Sequence, residues 1–180
     1  LQELPLPDAI LKSAKSLSRE IDSGIQKFGV IEHPKYGRIF AYEVDGLGNY
    51  TLMDDANLPS LLGAPWSGSC QPEDEIYKNT RRFLLSENNP YYFTGKFGAG
   101  IGSQHTRKGY IWPIALAVQG LTSTSLDEKK EILSMLFNTT AGTYHMHESF
   151  EANDPTHFTR AWFAWADSMF CLLVQQIYKL

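Results

Sequence analysis

Residues 111–121, IWPIALAVQGL, are apolar on nearly all sides. Pro113 falls where the first turn of a helix tolerates a residue without an N–H. A helix that is hydrophobic all round is normally buried. The sequence therefore predicts an interior helix here, around which the rest of the fold is packed.

Other segments predict helices that could surround it. The clearest begins at Leu6-Pro7-Asp8, repeats apolar residues at three- and four-residue steps as far as Phe28, and reaches a plausible stop at Gly29. Further helices are predicted over residues 57–62, 72–85, 126–137 and 159–180. The total of six helices indicates a mainly α-helical chain.

Two segments between these helices differ in pattern. Residues 38–44 and 49–52 favour strands on either side of a turn at 45–48, which predicts one β-hairpin near residues 38–52. Residues 91–110 contain five glycines and predict an ordered loop with little regular structure. Helices joined by long polar loops are typical of α-helical toroids, but six helices cannot close a ring of twelve. The chain is therefore either a small irregular helical domain or the C-terminal portion of a larger one.

Composition restricts the function classes. The 180 residues are 43% hydrophobic and carry a net charge of −4, which argues against nucleic acid or an anionic membrane as a partner. No apolar run approaches the ~20 residues that span a bilayer, and no signal peptide is predicted at the N-terminus. Two cysteines are too few for a disulfide scaffold or a cysteine-ligated zinc site. The cellular compartment stays open.

The densest polar cluster is residues 143–150, TYHMHESF. His145 and His147 would share one face of a strand, but the His-Glu-x-x-His spacing of a helical zinc site is absent. Glu148 could activate a water molecule, with nearby Trp and Tyr rings packing on a sugar. A structural alternative stays open, in which Glu148 caps a helix and His145 is a hydrogen-bonded core residue.

Two further clusters are candidates for binding. In Asp54-Asp55-Ala56-Asn57, one carboxylate is expected to cap the predicted 57–62 helix, which leaves the others free to bond sugar hydroxyls. In residues 98–105, GAGIGSQH, the glycines match no nucleotide-binding loop. They instead suggest a close approach of backbone segments, which would present His105, Tyr110 and Trp112.

Three blocks in order resemble glycoside hydrolase family 125. They are residues 53–62 (MDDANLPSLL), residues 100–106 (GIGSQHT) with 109–113 (GYIWP), and HMHESF at 145–150 followed by FTRAWFAWA at 158–166. That family includes metal-independent exo-acting α-1,6-mannosidases and fungal proteins described as meiotically up-regulated. The resemblance implies an (α/α)6 toroid, no cofactor, and inverting release of mannose from the non-reducing ends of N-glycan-type oligosaccharides. It also implies that no metal is bound.

The resemblance assigns roles residue by residue. Glu148 corresponds to the general base that deprotonates the attacking water. The matched positions that would line the sugar pocket are Asp54, Asp55, Asn57, His105, Tyr110, Trp112, His145, His147 and Arg160. Family members are more than twice as long, with the general acid expected in the N-terminal half. We therefore expect residues 1–180 to form the C-terminal part of a larger catalytic domain and to associate with the missing N-terminal half.

Two alternatives from other function classes remain. A carbohydrate-binding protein could keep the pocket without turnover, and a Glu148→Gln variant would separate that case from catalysis. A zinc hydrolase using His145, His147 and an acid would lose activity in chelator.

Overall fold

The computed structural model describes residues 4–179, which hold five α-helices, one π-helical segment and nine short strands. The helices are α1 (Asp8–Gly24), α2 (Glu75–Leu84), α3 (Pro113–Leu121), α4 (Leu126–Asn138) and α5 (Ala164–Tyr178). The strands are β1 (Val30–His33), β2 (Gly37–Phe40), β3 (Glu43–Val44), β4 (Tyr50–Thr51), β5 (Tyr92–Gly95), β6 (Gly98–Ile101), β7 (Tyr110–Ile111), β8 (Ser149–Glu151) and β9 (Asp154–Thr159). Helices and small antiparallel sheets therefore share the fold.

Helix α3 is the centre of the core, as its sequence predicts. Nearly all of its residues are buried, and it packs against α4, α5 and strand β6. The helix begins at Pro113, because Tyr110 and Ile111 are already used as strand β7. Ile111 pairs there with Phe150 of β8, and both side chains are fully buried.

Helix α1 forms over the predicted segment and continues as a π-helical turn, Ile25–Gly29, before Val30 becomes extended. The predicted stop at Gly29 is confirmed. Unlike the other helices, α1 contains no buried residue. Within residues 4–179, no helix is both long enough and apolar enough to cross a membrane.

The predicted hairpin near residues 38–52 is only partly correct. The turn at 45–48 joins the short strands β3 and β4, with Val44 opposite Tyr50. Residues 38–40 pair instead with an unpredicted strand, β1, and place Ile31 opposite Ile39. Ala41 N–H donates to the Gly29 carbonyl (2.8 Å), beside the first hairpin, and Tyr42 N–H donates to the Thr51 carbonyl (3.0 Å), beside the second, so the chain passes directly from one hairpin to the other.

Residues 91–110 are more regular than predicted, because they contain the hairpin of β5 and β6. Its glycines bring backbones together: a Cβ at Gly102 would lie 2.2 Å from the Tyr110 carbonyl oxygen, and one at Gly95 would lie 2.5 Å from the Ala152 carbonyl oxygen. The predicted close approach is thus present, but it packs a hairpin and not an irregular loop.

Two predicted helices need correction. Residues 57–62 form turns and bends, with a cis peptide between Leu58 and Pro59, so the helix predicted there is wrong. The closing helix starts at Ala164 and not at residue 159, because β9 extends to Thr159 and pairs with β8. The end of that prediction, Leu180, lies outside the described residues. The sequence predicts a mainly α-helical chain with one β-hairpin, whereas residues 4–179 contain five α-helices and four small sheets.

Candidate active site

Glu148 lies directly before strand β8. Its main-chain N–H donates to the Thr159 carbonyl (3.1 Å), and its side chain is 17% exposed. The residue therefore caps no helix, which removes the structural alternative considered from the sequence. Its Oε1 lies 3.2 Å from Nε of Arg160, whose side chain is 63% exposed. A partly exposed carboxylate is thus held at the protein surface by a cation from the facing loop.

The backbone around this pair is strained. Arg160 has a φ of 49°, in the left-handed region that non-glycine residues rarely adopt. Ala141 and Tyr144, in the loop that precedes Glu148, are also left-handed. Such conformations cost of order 1–3 kcal/mol each and concentrate at functional sites. In Arg160 this conformation accompanies the placement of the guanidinium beside Glu148.

The Arg160 guanidinium rests on an aromatic stack. Its Cζ lies 5.5 Å from the centroid of the Phe163 ring, and the Trp112 ring meets Phe163 edge-on at 6.3 Å. Trp112 is 3% exposed, and its indole N–H donates to Thr106 Oγ1 (2.9 Å). Trp112 is therefore buried beneath Phe163 and supports Arg160 through that ring, whereas the motif resemblance predicts that Trp112 lines the pocket.

A second cluster joins the Asp55 loop to the loop around Ser103. Asp55 Oδ1 accepts from the main-chain N–H and the side-chain amide of Asn57 (3.0 and 2.7 Å), and Oδ2 accepts from the Ser103 hydroxyl (3.1 Å). The Ser103 hydroxyl oxygen also accepts from the His105 main-chain N–H (3.2 Å). Asn57 is half-buried and His105 is exposed, whereas Asp55 is buried. Asp55 thus organises side chains that remain accessible.

Asp54 is completely buried. Its two carboxylate oxygens accept from the main-chain N–H groups of Leu61 (3.0 Å) and Leu62 (2.9 Å). Burial raises the pKa of Asp54 to about 7, although these hydrogen bonds favour the ionised form and oppose the shift. The predicted cap of a helix at 57–62 is wrong, because that helix does not form; Asp54 instead binds the main-chain N–H groups of the turn at Leu61 and Leu62.

Tyr42 lies near the two aspartates, although no motif in the sequence marks it as a site residue. Its pKa is raised by burial and by the negative charges of Asp55 and Asp54. The half-buried Tyr42 side chain therefore adds an aromatic ring and a hydroxyl to the vicinity of the two aspartates. Residue 42 precedes the aspartate motif by twelve positions, and no local pattern marks it.

The two histidines of the HMHESF block differ. His145 is exposed, with Nδ1 3.3 Å from Asp167 Oδ2 and its ring 6.0 Å from the Trp162 ring. His147 is buried and stacks on Phe158 at 3.9 Å. The His147 ring nitrogens lie 3.1 and 3.2 Å from two main-chain carbonyl oxygens. His147 has no ring nitrogen left for a ligand and instead fixes the loop that carries Glu148.

The clusters are connected through Trp112. Its hydrogen bond reaches Thr106, next to His105, while its ring contacts Phe163 beneath Arg160. Tyr110, another predicted site residue, is half-buried in β7 opposite Glu151. The sheet β7–β8–β9 and the start of α3 therefore bring the second and third motif blocks together. Within residues 4–179, no three His, Cys, Asp or Glu side chains are grouped as metal ligands.

Comparison with known proteins gives consistent matches. The family described as Metal-independent alpha-mannosidase (GH125) matches residues 2–175. The Meiotically up-regulated gene 157 protein of Schizosaccharomyces pombe is 45% identical over 166 residues, which are 92% of this chain and 33% of the yeast protein. The chain therefore spans about a third of that curated relative.

A solved structure also matches. It belongs to a Streptococcus pneumoniae protein described as a metal-independent alpha mannosidase, in a non-productive substrate complex with alpha-1,6-mannobiose. The identity is 47% and the TM-score is 0.94, over 98% of this chain and 42% of the pneumococcal chain. The description of that pneumococcal structure also refers to the processing of N-linked glycans.

Proposed function

Because this chain belongs to the GH125 family of metal-independent α-mannosidases, we propose that it supplies the general base and part of the sugar pocket of an exo-α-1,6-mannosidase. The reaction proposed is inverting hydrolysis of the mannose at the non-reducing end of an N-glycan-type α-mannoside. The observation that carries this proposal is the partly exposed Glu148 carboxylate, held 3.2 Å from Arg160 on a strained loop.

Glu148 acts as the general base. A water molecule between its carboxylate and the anomeric carbon would lose a proton to Glu148 as it attacks from the face opposite the departing oxygen. The Arg160 guanidinium fixes one carboxylate oxygen, and Phe163 fixes the guanidinium from below. General-base catalysis of this kind contributes typically 10²–10⁴-fold in rate.

The general acid comes from outside this chain. An inverting site needs a second carboxyl group ~6.5–9.5 Å from the base. A pKa of about 7 would suit an acid at Asp54, but both of its oxygens are bound to the main chain in the protein interior. Asp55 is equally occupied by Asn57 and Ser103. Residues 1–180 therefore form the C-terminal part of an (α/α)6 catalytic domain whose remaining segment carries the acid.

The sugar contacts divide into two tiers. Side chains with exposed or half-exposed polar atoms bind the mannose hydroxyls: Asn57, His105, Tyr110, His145 and Arg160. Buried side chains hold these groups in position: Asp54, Asp55, Trp112 and His147. The exposed Trp162 ring beside His145 adds an apolar surface suited to the C–H face of a sugar ring.

A chimera tests the proposal, in which this chain replaces the matched 42% of the pneumococcal mannosidase. Glu148→Gln should lower hydrolysis of α-1,6-mannobiose at least 100-fold while its binding is kept. The matched control is Glu151→Gln, which changes a neighbouring carboxylate on β8 and should keep near-normal turnover. Chelator should have no effect on the chimera. Equal turnover in the two variants would refute Glu148 as the base.

A second candidate is a mannoside-binding protein without turnover. It is favoured because, among the described site residues, the carboxylates other than Glu148 that could act as an acid, Asp54 and Asp55, are already held by hydrogen bonds within the protein. Calorimetry with α-1,6-mannobiose and a hydrolysis assay, both on the isolated chain and on the chimera, separate the two functions. We expect turnover in the chimera only. Binding by the chimera without any hydrolysis would favour the binding protein.

A further inference from the structure

Asp167 lies in the first turn of α5 and contacts the loop that leads to Glu148. Its Oδ1 accepts from the Met146 main-chain N–H (2.8 Å), and its Oδ2 lies 3.3 Å from Nδ1 of His145. Asp167 directly follows the last motif block, which ends at residue 166, and the motif resemblance gives it no role. One carboxylate therefore joins two neighbouring residues of the HMHESF block to the start of a helix.

The main chain of Met146 is held on both sides. Its N–H donates to Asp167, and its carbonyl accepts from the Phe163 main-chain N–H (2.9 Å). The Met146 side chain is 5% exposed and belongs to the hydrophobic core. The loop is therefore anchored to the start of α5 at the residue next to His145.

The anchored loop lies opposite the loop at residues 160–163. The rings of His145 and Trp162 are 6.0 Å apart, and Glu148 Oε1 is 3.2 Å from Arg160 Nε. The His145 side chain is 52% exposed, and within residues 4–179 only Nδ1 of its two ring nitrogens has a hydrogen-bond partner. Nε2 of His145 is therefore available to a ligand on the same pair of loops that holds Glu148.

The contact with Asp167 determines what Nε2 can offer. A neutral imidazole carries a proton on one ring nitrogen and a lone pair on the other. An ionised carboxylate only accepts hydrogen bonds, so the proton of neutral His145 stays on Nδ1, where it is donated to Asp167. Nε2 is then an acceptor, which suits the O–H group of a sugar.

We infer that Asp167 is a positioning residue of the mannoside site, because it keeps the His145 proton on Nδ1 and presents Nε2 as the acceptor for a mannoside hydroxyl. This inference rests on the proposed function, in which His145 binds mannose. Asp167 acts on the sugar only through this histidine. The alternative role for Asp167 is purely structural, since an acid in the first turn stabilises a helix through its dipole.

Asp167→Asn separates the two roles. The side-chain oxygen of Asn can still accept from Met146, whereas its amide group donates to Nδ1 and moves the His145 proton to Nε2. Histidine-selective ¹⁵N NMR of the chimera reads the tautomer, with the His145 signals identified by their loss in His145→Ala. We expect the Nδ1–H tautomer in the unsubstituted chimera, a measurement that needs no change at Asp167, and the Nε2–H tautomer in Asp167→Asn.

Calorimetry with α-1,6-mannobiose measures the consequence for binding, in the Glu148→Gln chimera so that turnover does not interfere. Asp167→Asn should raise the Kd about fivefold, because the sugar hydroxyl then meets an N–H instead of a lone pair. In a His145→Ala background the same substitution should change the Kd less than about 1.5-fold. The matched control is Asp154→Asn, which alters the exposed pair of Asp154 and His157 (3.7 Å) and should leave the Kd unchanged.

Three results would overturn the inference: an Nε2–H tautomer in the unsubstituted chimera, an unchanged Kd in Asp167→Asn, or an equal rise in Kd with and without His145. The third would assign Asp167 to the stability of α5. The expected tautomers and coupling without hydrolysis by the unsubstituted chimera would retain the inference and reject only the catalytic function. Hydrolysis that depends on Glu148, together with an equal rise in Kd in both backgrounds, would do the reverse.

Discussion

Replacement of Asp54 by Asn should change how the stability of the protein depends on pH. Asp54 has no solvent exposure, and burial raises its pKa from an ordinary 3.8 to about 7. Between these two values the folded protein binds a proton at this side chain that the unfolded chain has released. The unfolding free energy of the wild-type protein therefore falls as pH rises from about 4 to about 7.

The size of the effect follows from the same shift. A pKa that is about three units higher in the folded than in the unfolded state changes the unfolding free energy by about 4 kcal/mol in total. Roughly 2–3 kcal/mol of this change falls between pH 5 and pH 8. Asn does not titrate. The difference in unfolding free energy between wild type and Asp54→Asn should therefore move in favour of the variant by roughly 2–3 kcal/mol over that interval.

Urea unfolding followed by tryptophan fluorescence at pH 5, 6, 7 and 8 measures this difference. Asp45→Asn is the control, because the Asn49 side chain and the Leu47 N–H lower the pKa of the exposed Asp45 carboxyl. Its contribution is lost only as pH falls through that lowered pKa, so the control should parallel wild type from pH 5 to pH 8. Parallel curves for wild type and Asp54→Asn would refute the raised pKa of Asp54.

Three further predictions concern packing and the site. Gly102→Ala should destabilise the protein by about 3 kcal/mol or more in thermal unfolding, because the added Cβ has no room. The control Gly24→Ala places its Cβ in open space and should be neutral or stabilising, so equal effects of the two substitutions would contradict this reasoning. Glu128→Ala should lower the free energy of unfolding in urea by about 3 kcal/mol, because it leaves the mostly buried Arg81 guanidinium without its carboxylate partner. A loss below ~1 kcal/mol would show that the pair contributes no more than a surface ion pair. Phe163→Leu should lower mannobiose turnover by the chimera about tenfold and Phe163→Tyr should restore it, because the guanidinium above the ring needs an aromatic face; equal turnover in both variants would reject that support.

The sequence predicts the main helices because their signals are local. The all-apolar pattern of residues 113–121, the repeat in α1 and the charged termini of α2 each determine a helix without reference to distant residues. Strand β7 could not be predicted locally, because it pairs with residues far away in the sequence, such as Ile111 with Phe150. Strands β5 and β6, and β8 and β9, form local hairpins. The glycines at 95 and 102 predict a loop, but in the structure they let the β5–β6 hairpin lie close to the backbone at Ala152 and Tyr110.

The candidate site shows the same division. The motif blocks identify Glu148, Arg160, Asn57 and His105, and the structure connects their loops through Trp112 and Ser103. Which polar side chains face solvent depends on tertiary burial, so the sequence could not separate the exposed His145 from the buried His147. Tyr42 was missed because its proximity to Asp54 and Asp55 arises only from the fold.

Azide rescue of the Glu148→Ala chimera tests most directly whether Glu148 is the base of an inverting mannosidase. Azide needs no deprotonation, so it can replace the attacking water and occupy the space of the removed carboxylate. With an activated α-mannoside, the reaction should recover in sodium azide and give β-mannosyl azide, identified by proton NMR. Failure of rescue in a folded chimera that binds mannobiose, or formation of α-mannosyl azide, would contradict that role for Glu148.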